Sequence, residues 1–210
     1  MRGAVISKVV LGAALAVGLG VSEEMEAVHA PAVKLDVPKA RPMSAEMTKA
    51  LNAQLKAELE SAYIYLGMAK WFDEQNLSGF AHWFRIQSEE EMTHFKKVYD
   101  FMQDRGVQVV LPSLEAPNSD FDSIVDVFLD GLKREQELTV QIHEIYSLAQ
   151  DLREYDAGSF VLWFLQEQVE EENLFLSYID HLIRIGGHDA DPAAILWMDR
   201  ELGNRAPEQG

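Results

Sequence analysis

The run Phe84-Arg85-Ile86-Gln87-Ser88-Glu89-Glu90-Glu91-Met92-Thr93-His94-Phe95-Lys96-Lys97-Val98 decides how this chain folds. Phe84, Gln87, Glu91, His94 and Val98 recur at steps of three and four, so they share one helix face. That face is apolar at both ends and carries a carboxylate and an imidazole at its centre. Its helix is predicted to start near Ser78, an N-cap residue, and to end near Gly106, a C-terminal glycine.

Three other long segments repeat the pattern. Ser44 to Gln75 has the stripe Leu51, Leu55, Ala62, Tyr65, Ala69 and Phe72, with Glu58 inside it. A helix beginning after Pro117-Asn118-Ser119 and reaching Asp151 has Phe121, Val125, Phe128, Leu132, Thr139 and Ile142, interrupted by Glu135. A fourth, from Asp156 to Ile185, has Val161, Phe164, Phe175 and Leu182, interrupted by Gln168 and Glu171, and stops at Gly186-Gly187. A short fifth helix is predicted from Pro192 to Leu202. No run of strand alternation competes with these.

The links set the topology. The first and third links are a few residues long, which makes antiparallel hairpins. The middle link, Val107 to Asp120, can reach about 46 Å when extended. A 28-residue helix is about 42 Å long. The link can therefore run the whole height of a bundle and leave the second and third helices parallel. The expected fold is all-α: a four-helix bundle with one long crossover and a short C-terminal fifth helix.

The two hairpins are related. The 33-residue step from Glu58 to Glu91 recurs from Glu135 to Gln168, and the whole first set matches the second at an offset of 77. Glu58 pairs with Glu135, Glu91 with Gln168, and His94 with Glu171. Leu51, Leu55, Phe84 and Val98 pair with Phe128, Leu132, Val161 and Phe175. Six ligand-type side chains should meet at mid-height.

Burying an unpaired carboxylate costs several kcal/mol even after relaxation. Glu58, Glu91, Glu135 and Glu171 all fall in core stripes, where no Lys or Arg can pair with them. Tyr65, Gln87 and Gln168 can donate hydrogen bonds but cannot neutralise four charges. Two divalent cations can. Five oxygen donors and one imidazole suit iron or manganese and fit a structural zinc poorly. Glu91 is placed to bridge, with Glu58 and His94 on one metal and Glu135 on the other.

Composition narrows the chemistry further. The chain has no Cys, so disulfides, iron–sulfur clusters and thiol nucleophiles are excluded. With 18 Lys+Arg against 35 Asp+Glu the formal net charge is −17, which argues against nucleic acid as a partner.

The body from Met43 to Leu202 resembles a bacterial non-heme ferritin, of the ferritin-like di-iron family. The resemblance lies in Leu51-Asn52-Ala53-Gln54-Leu55 through Glu58, in Glu90-Glu91-Met92-Thr93-His94, in Glu135-Gln136, and in Glu167-Gln168-Val169-Glu170-Glu171-Glu172. It implies a ferroxidase centre that oxidises Fe(II) to Fe(III) with dioxygen or hydrogen peroxide. It also implies storage of ferric oxyhydroxide in a 24-subunit cage. Glu58, Glu91 and His94 match the first iron site. Glu91 and Glu135, joined by Gln168 and Glu171, match the second. Glu90, Glu167 and Glu170 match a third, neighbouring site. Tyr65 matches a tyrosine that can donate an electron. Gln168-x-x-Glu171 replaces a second Glu-x-x-His, which points away from the heme-binding branch, so no heme is expected.

Two alternatives remain. A rubrerythrin-like di-iron peroxidase without storage would usually carry a Cys-ligated iron, which a chain without Cys cannot build. A non-enzymatic helical assembly protein would leave the core carboxylates unexplained. The other histidines, His29, His82, His143, His181 and His188, lie off the stripes or in loops, and most of them are expected at the surface.

The N-terminus is a separate matter. Arg2 and Lys8 precede an uncharged run from Val9 to Ser22, too short to span a bilayer. Residues 1–32 read as a signal peptide, 33–43 as a linker, and 44–205 as the di-iron domain. The expected location is therefore exported or periplasmic, with no stable membrane association. A true start at Met43 or Met47 would instead make the protein cytoplasmic. Ala30-Pro31-Ala32 and Val28-His29-Ala30 are the two cleavage candidates. If the first is used, protein purified from its native cell begins at Val33, as N-terminal mass spectrometry would read. A mature chain beginning at Met43 or Met47 would overturn the export reading.

Overall fold

The computed structural model describes residues 42–206. The signal peptide, all but the last two residues of the linker, and His29 lie outside them. Four long helices, α1 (Ala45–Glu74), α2 (Ser78–Asp104), α3 (Ile124–Asp151) and α4 (Tyr155–Arg184), are followed by a 3-10 turn and α5 (Pro192–Leu202). The described residues contain no strand, and none of their helices is long and apolar enough to cross a membrane.

α1 packs on α2, α3 packs on α4, and α1 also packs on α3. The crossover is held along α1. Asn52 donates to the Gln108 carbonyl at 3.0 Å and accepts from the Val110 amide at 2.7 Å. Farther on, Pro117 and Asn118 press against Gly67 so closely that a Cβ there would stand 2.9 Å from the Asn118 carbonyl oxygen. The link thus climbs α1 from Asn52 to Gly67, about 22 Å at 1.5 Å per residue. It delivers α3 to the end where α2 begins, so α2 and α3 run parallel as the link length required.

The core is split into two halves by a polar layer. One half is aromatic and contains Tyr65, Phe72, Phe80, Trp83, Phe84, Phe128 and Phe175. The other is largely aliphatic and contains Met47, Leu51, Leu55, Val98, Met102, Leu138 and Ile142. On every long helix the ligand-type residues fall between the two: Glu58 between Leu55 and Tyr65, and Glu91 and His94 between Phe84 and Val98. Glu135 falls between Phe128 and Leu138, and Gln168 and Glu171 between Phe164 and Phe175. The apolar halves fix the helices in register and so fix the heights of these side chains.

The start of α3 and the cap of α2 differ from the sequence reading. Helix α3 begins at Ile124, because Ser123 caps it: its Oγ accepts from the Asp126 amide at 3.2 Å and donates to the Asp126 carboxylate at 2.6 Å. That is a serine N-cap braced by the acid three residues on, which outweighs the apolar spacing that seemed to include Phe121. Phe121 instead packs edge-on against Trp71 from the loop. Ser78 is the first helical residue of α2 and makes no cap bond. The cap comes from α5, whose Asp199 carboxylate accepts from the Gly79 amide at 2.8 Å and the Phe80 amide at 3.0 Å. A carboxylate at a helix N-terminus also meets the positive end of its dipole. Gly106, with φ +64°, and Gly186, with φ +118°, end α2 and α4 as expected.

This docking demands a glycine. A Cβ on Gly79 would lie 1.6 Å from the Asp199 carbonyl oxygen, a backbone atom that can move only with α5. Gly79→Ala should therefore push α5 off α2, lose both cap bonds and destabilise the fold by about 1–3 kcal/mol. Thermal melts and hydrogen exchange at residues 192–202 would check this. Unchanged protection of α5 would contradict it.

Candidate metal centre

The six residues of the polar layer are all buried, none more than 6% exposed: Glu58, Glu91, His94, Glu135, Gln168 and Glu171. Each sits on a rigid helix, so its position is set by packing. Two groups of ligand atoms form among the described residues. Glu58, Glu91 and His94 each offer one atom within 4.8 Å of the others, and so do His94, Glu167 and Glu171. His94 belongs to both groups. Its Nδ1 lies 3.5 Å from Glu91 Oε2 and its Nε2 lies 3.6 Å from Glu167 Oε1. Trp163 and Phe164 hold the ring edge-on at 5.3 and 6.0 Å.

The hydrogen bonds around the carboxylates are incomplete. Gln54 donates to Glu58 Oε1 at 2.7 Å. Glu58 Oε2 and Glu91 Oε2 are buried with no hydrogen-bond partner. No Lys or Arg forms an ion pair with Glu58, Glu91, Glu135 or Glu171 among the described residues. Buried polar atoms are nearly always satisfied, so two orphan carboxyl oxygens beside an imidazole nitrogen fit a bound cation. The donor chemistry, carboxylate oxygen with one nitrogen, suits iron or manganese.

Glu135 is arranged differently. Its Oε1 accepts from the Tyr65 hydroxyl, and its Oε2 accepts from Gln168 Nε2 at 3.1 Å. Gln168 also reaches the Glu135 carbonyl at 3.1 Å and Thr139 at 3.2 Å. Both Glu135 oxygens are thus taken by the nearest donors, and Glu135 is in neither ligand group. The spacing argument put it on the second metal with Glu91. The structure keeps it in the layer but gives the second group to Glu167. Glu171 Oε2 accepts from Gln87 Nε2 at 2.9 Å.

The remaining predicted residues lie just outside. Glu90 pairs with Arg205 at 2.8 Å. Glu167, Glu170 and Glu171 line an open cavity of about 420 Å³, with Glu170 exposed. Sequence reasoning missed Arg205 altogether, since one arginine in a tail has no periodicity to reveal it. It gave no role to His82, which is half-buried with Nε2 2.9 Å from the Arg205 carbonyl. His143, His181 and His188 are exposed, as expected.

The electrostatics follow from burial. Desolvation, then the charge of Glu135, pushes Glu91 well above the usual carboxylate range. Burial raises Glu135 as well, against the hydrogen bonds from Tyr65 and Gln168. Glu171 is pushed up to about 8 by burial and by Glu135. Burial alone would lower His94, but the close approach of Glu167 and Glu91 to its two nitrogens and the charges of Glu91 and Glu58 outweigh it and raise the ring to about 11. Tyr65 rises too, from burial and the charges of Glu135 and Glu91, so it stays a donor.

The bundle that carries this layer is similar to known proteins. Residues 48–185 match the ferritin-like domain family. The chain is 38% identical to the bacterial non-heme ferritin of Staphylococcus epidermidis over 164 residues, covering 78% of this chain and 97% of that protein. It is equally close to the bacterial non-heme ferritin of Staphylococcus aureus, at 38% over 163 residues, 78% and 96% of the two chains. The open pore ferritin of the hyperthermophilic archaeon Archaeoglobus fulgidus superposes with a TM-score of 0.76 at 39% identity, over 78% of this chain and 98% of that one. A humanized archaeal ferritin gives 0.77 at 36% identity, over 80% and 99%.

The proton inventory has a consequence for stability. Native Glu171 holds its proton to about pH 8, against an ordinary value of 4.5. The folded state therefore binds more protons than the unfolded chain, and stability falls as pH rises from about 4.5 through about 8. His94 acts in the same direction, its contribution present below 6.5 and lost on the way to about 11. The metal-free protein should melt at steadily lower temperature from about pH 5 to 8.5. Saturating Mn(II) should remove or reverse the trend, because the ligands bind deprotonated. Melting temperatures across that window, with and without Mn(II), are the check. A metal-free melting temperature that climbs with pH would refute the inventory.

Proposed function

The chain belongs to the ferritin-like domain family, and we propose on that premise that it is an iron-storage ferritin with ferroxidase activity. The observation that carries the reading is the pair of orphan oxygens, Glu58 Oε2 and Glu91 Oε2, beside the ring of His94 in a layer where, among the described residues, no Lys or Arg pairs with a carboxylate. Ferrous iron is the substrate.

The chemistry needs two ferrous ions close together. Each gives one electron, and dioxygen takes both with two protons to leave hydrogen peroxide. With peroxide as oxidant, the same two electrons and two protons yield two waters. Pairing the electrons avoids a free one-electron product. Glu58, Glu91 and His94 would bind the first ion. Glu91 and Glu135, with Gln168 and Glu171, would bind the second once Glu135 exchanges its Tyr65 and Gln168 hydrogen bonds for the ion. Hard anionic oxygen then favours the ferric state. Binding also frees the protons that burial held on Glu91, Glu135 and Glu171. If a third ferrous ion is bound nearby, its electron and one from Tyr65, which is hydrogen-bonded to Glu135, would make four in all, and with four protons these would take dioxygen to two waters.

Storage belongs to the same proposal. The ferric product would pass over the acidic wall of Glu90, Glu167 and Glu170, a third site, into the interior of a 24-subunit cage and nucleate mineral there. Export of the chain rests on its first 32 residues alone.

Aerobic Fe(II) addition tests the whole reading. A ferritin consumes oxygen and retains many irons per subunit, a simple di-iron oxidase retains about two, and a structural bundle does neither. Glu91→Ala should slow oxidation by roughly 100-fold or more while the helical spectrum is unchanged. Stopped-flow absorbance reads this, and wild-type kinetics in the variant would sink the assignment. His94→Ala should weaken the first ion more than the second in an anaerobic titration. Equal loss at both would contradict the division of ligands.

A further inference from the structure

The chain beyond α5 returns along α2. The Arg205 carbonyl lies 2.9 Å from His82 Nε2, and its guanidinium stands over the Trp83 ring at 5.0 Å. Nη1 donates to Gln87 Oε1, and Nη2 lies 2.8 Å from Glu90 Oε2. The two charged side chains are only 14% and 11% exposed. A charge-assisted bond this sheltered is stronger than a surface ion pair.

Two consequences are built into these contacts. An amide has one accepting and one donating end. With Gln87 Oε1 turned to Arg205, Gln87 Nε2 must face the other way, where it donates to Glu171 Oε2 at 2.9 Å. Arg205 therefore sets the orientation of a group that touches the metal layer. Arg205 also lines the 420 Å³ cavity with Glu167, Glu170 and Glu171. Its charge lies where an incoming cation would have to lie to use Glu90.

We propose that Arg205 is a built-in counter-ion for the carboxylates Glu90, Glu167 and Glu170, and that a ferrous ion binding among them displaces it and releases the C-terminal tail from α2. This rests on the reading of the site given above. Guanidinium and metal exclude each other on Glu90, so each lowers the other's affinity by the same factor. The two buried positions then fill first, and the outer position fills only when they are taken. Arg205 is a positioning residue, acting through Gln87 and Glu90.

The test is anaerobic calorimetric titration of Fe(II) into the full protein, with hydrogen exchange at residues 199–206. Wild type should bind two equivalents per subunit tightly and a third more weakly, and tail exchange should accelerate with the third. In Arg205→Gln the third equivalent should tighten by roughly tenfold. The first, on Glu58, Glu91 and His94, should stay within about twofold, and the tail should exchange fast without metal. Arg205→Lys keeps a charge but cannot span Gln87 and Glu90 together, so it should fall between. A third equivalent that is absent, unchanged or weaker in Arg205→Gln overturns the inference alone. So does metal-insensitive tail exchange, or loss of protection throughout α5, which would mark Arg205 as purely structural. Fewer than two tight equivalents in wild type would overturn the proposed function and this inference together.

Discussion

Four carboxylates in a dry layer are the constraint that the rest of the bundle answers to. Leaving all four charged and unpaired would cost several kcal/mol apiece, more than a domain of this size can absorb. The protein meets the problem with protons and with donors. Burial raises Glu91, Glu135 and Glu171 toward their neutral forms. Gln54, Tyr65, Gln87 and Gln168 each cover one oxygen. The coverage stops short at Glu58 Oε2 and Glu91 Oε2. Those are the two places where a cation gains most, because no donor has to be displaced first.

The apolar halves of the core make that layer geometrically reliable. Phe72 stacks on Phe80 and Phe84 at 5.0 and 5.4 Å, and Phe128 and Phe175 close over them. Rings locked this way cannot slide by a turn, so the glutamates on the same helices stay level with one another. Ligands held on helices keep their separations better than ligands held on loops. The crossover adds to this by bracing α1 through Asn52 and Gly67.

Much of this was legible in the residues alone, and for identifiable reasons. Helical periodicity exposes any polar residue inside an apolar stripe, which is how Glu58, Glu91, His94, Glu135, Gln168 and Glu171 could be found together. The repeated 33-residue step set their common height. What escaped was contact between parts that periodicity does not connect. Asp199 capping α2, His82 holding the tail, and Arg205 reaching Glu90 all join residues more than a hundred positions apart. Glu167 was assigned to an outer site, but its approach to His94 Nε2 depends on how α4 is rotated against α2. The start of α3 was written in Ser123-x-x-Asp126, and there a continuous apolar spacing hid a local cap.

The departure of the second hairpin from the first keeps one quantity fixed. A perfect repeat would supply Glu58, Glu91 and His94 twice over, giving four carboxylates and two imidazoles. The actual second set has Gln168 where a glutamate would be and Glu171 where a histidine would be. One carboxylate is lost and one gained, so the layer still holds four, the number that balances two divalent ions. Only the distribution changes. His94 remains the single imidazole and is shared by both ligand groups, with Nδ1 toward Glu91 and Nε2 toward Glu167. The half that lost its histidine would be ligated by oxygen alone unless it borrowed that ring. Oxygen-only ligation favours the higher charge more strongly than mixed ligation does. The two ions of a loaded centre would therefore differ in how readily they give up an electron, and that inequality follows from exchanging two residues on one face of α4.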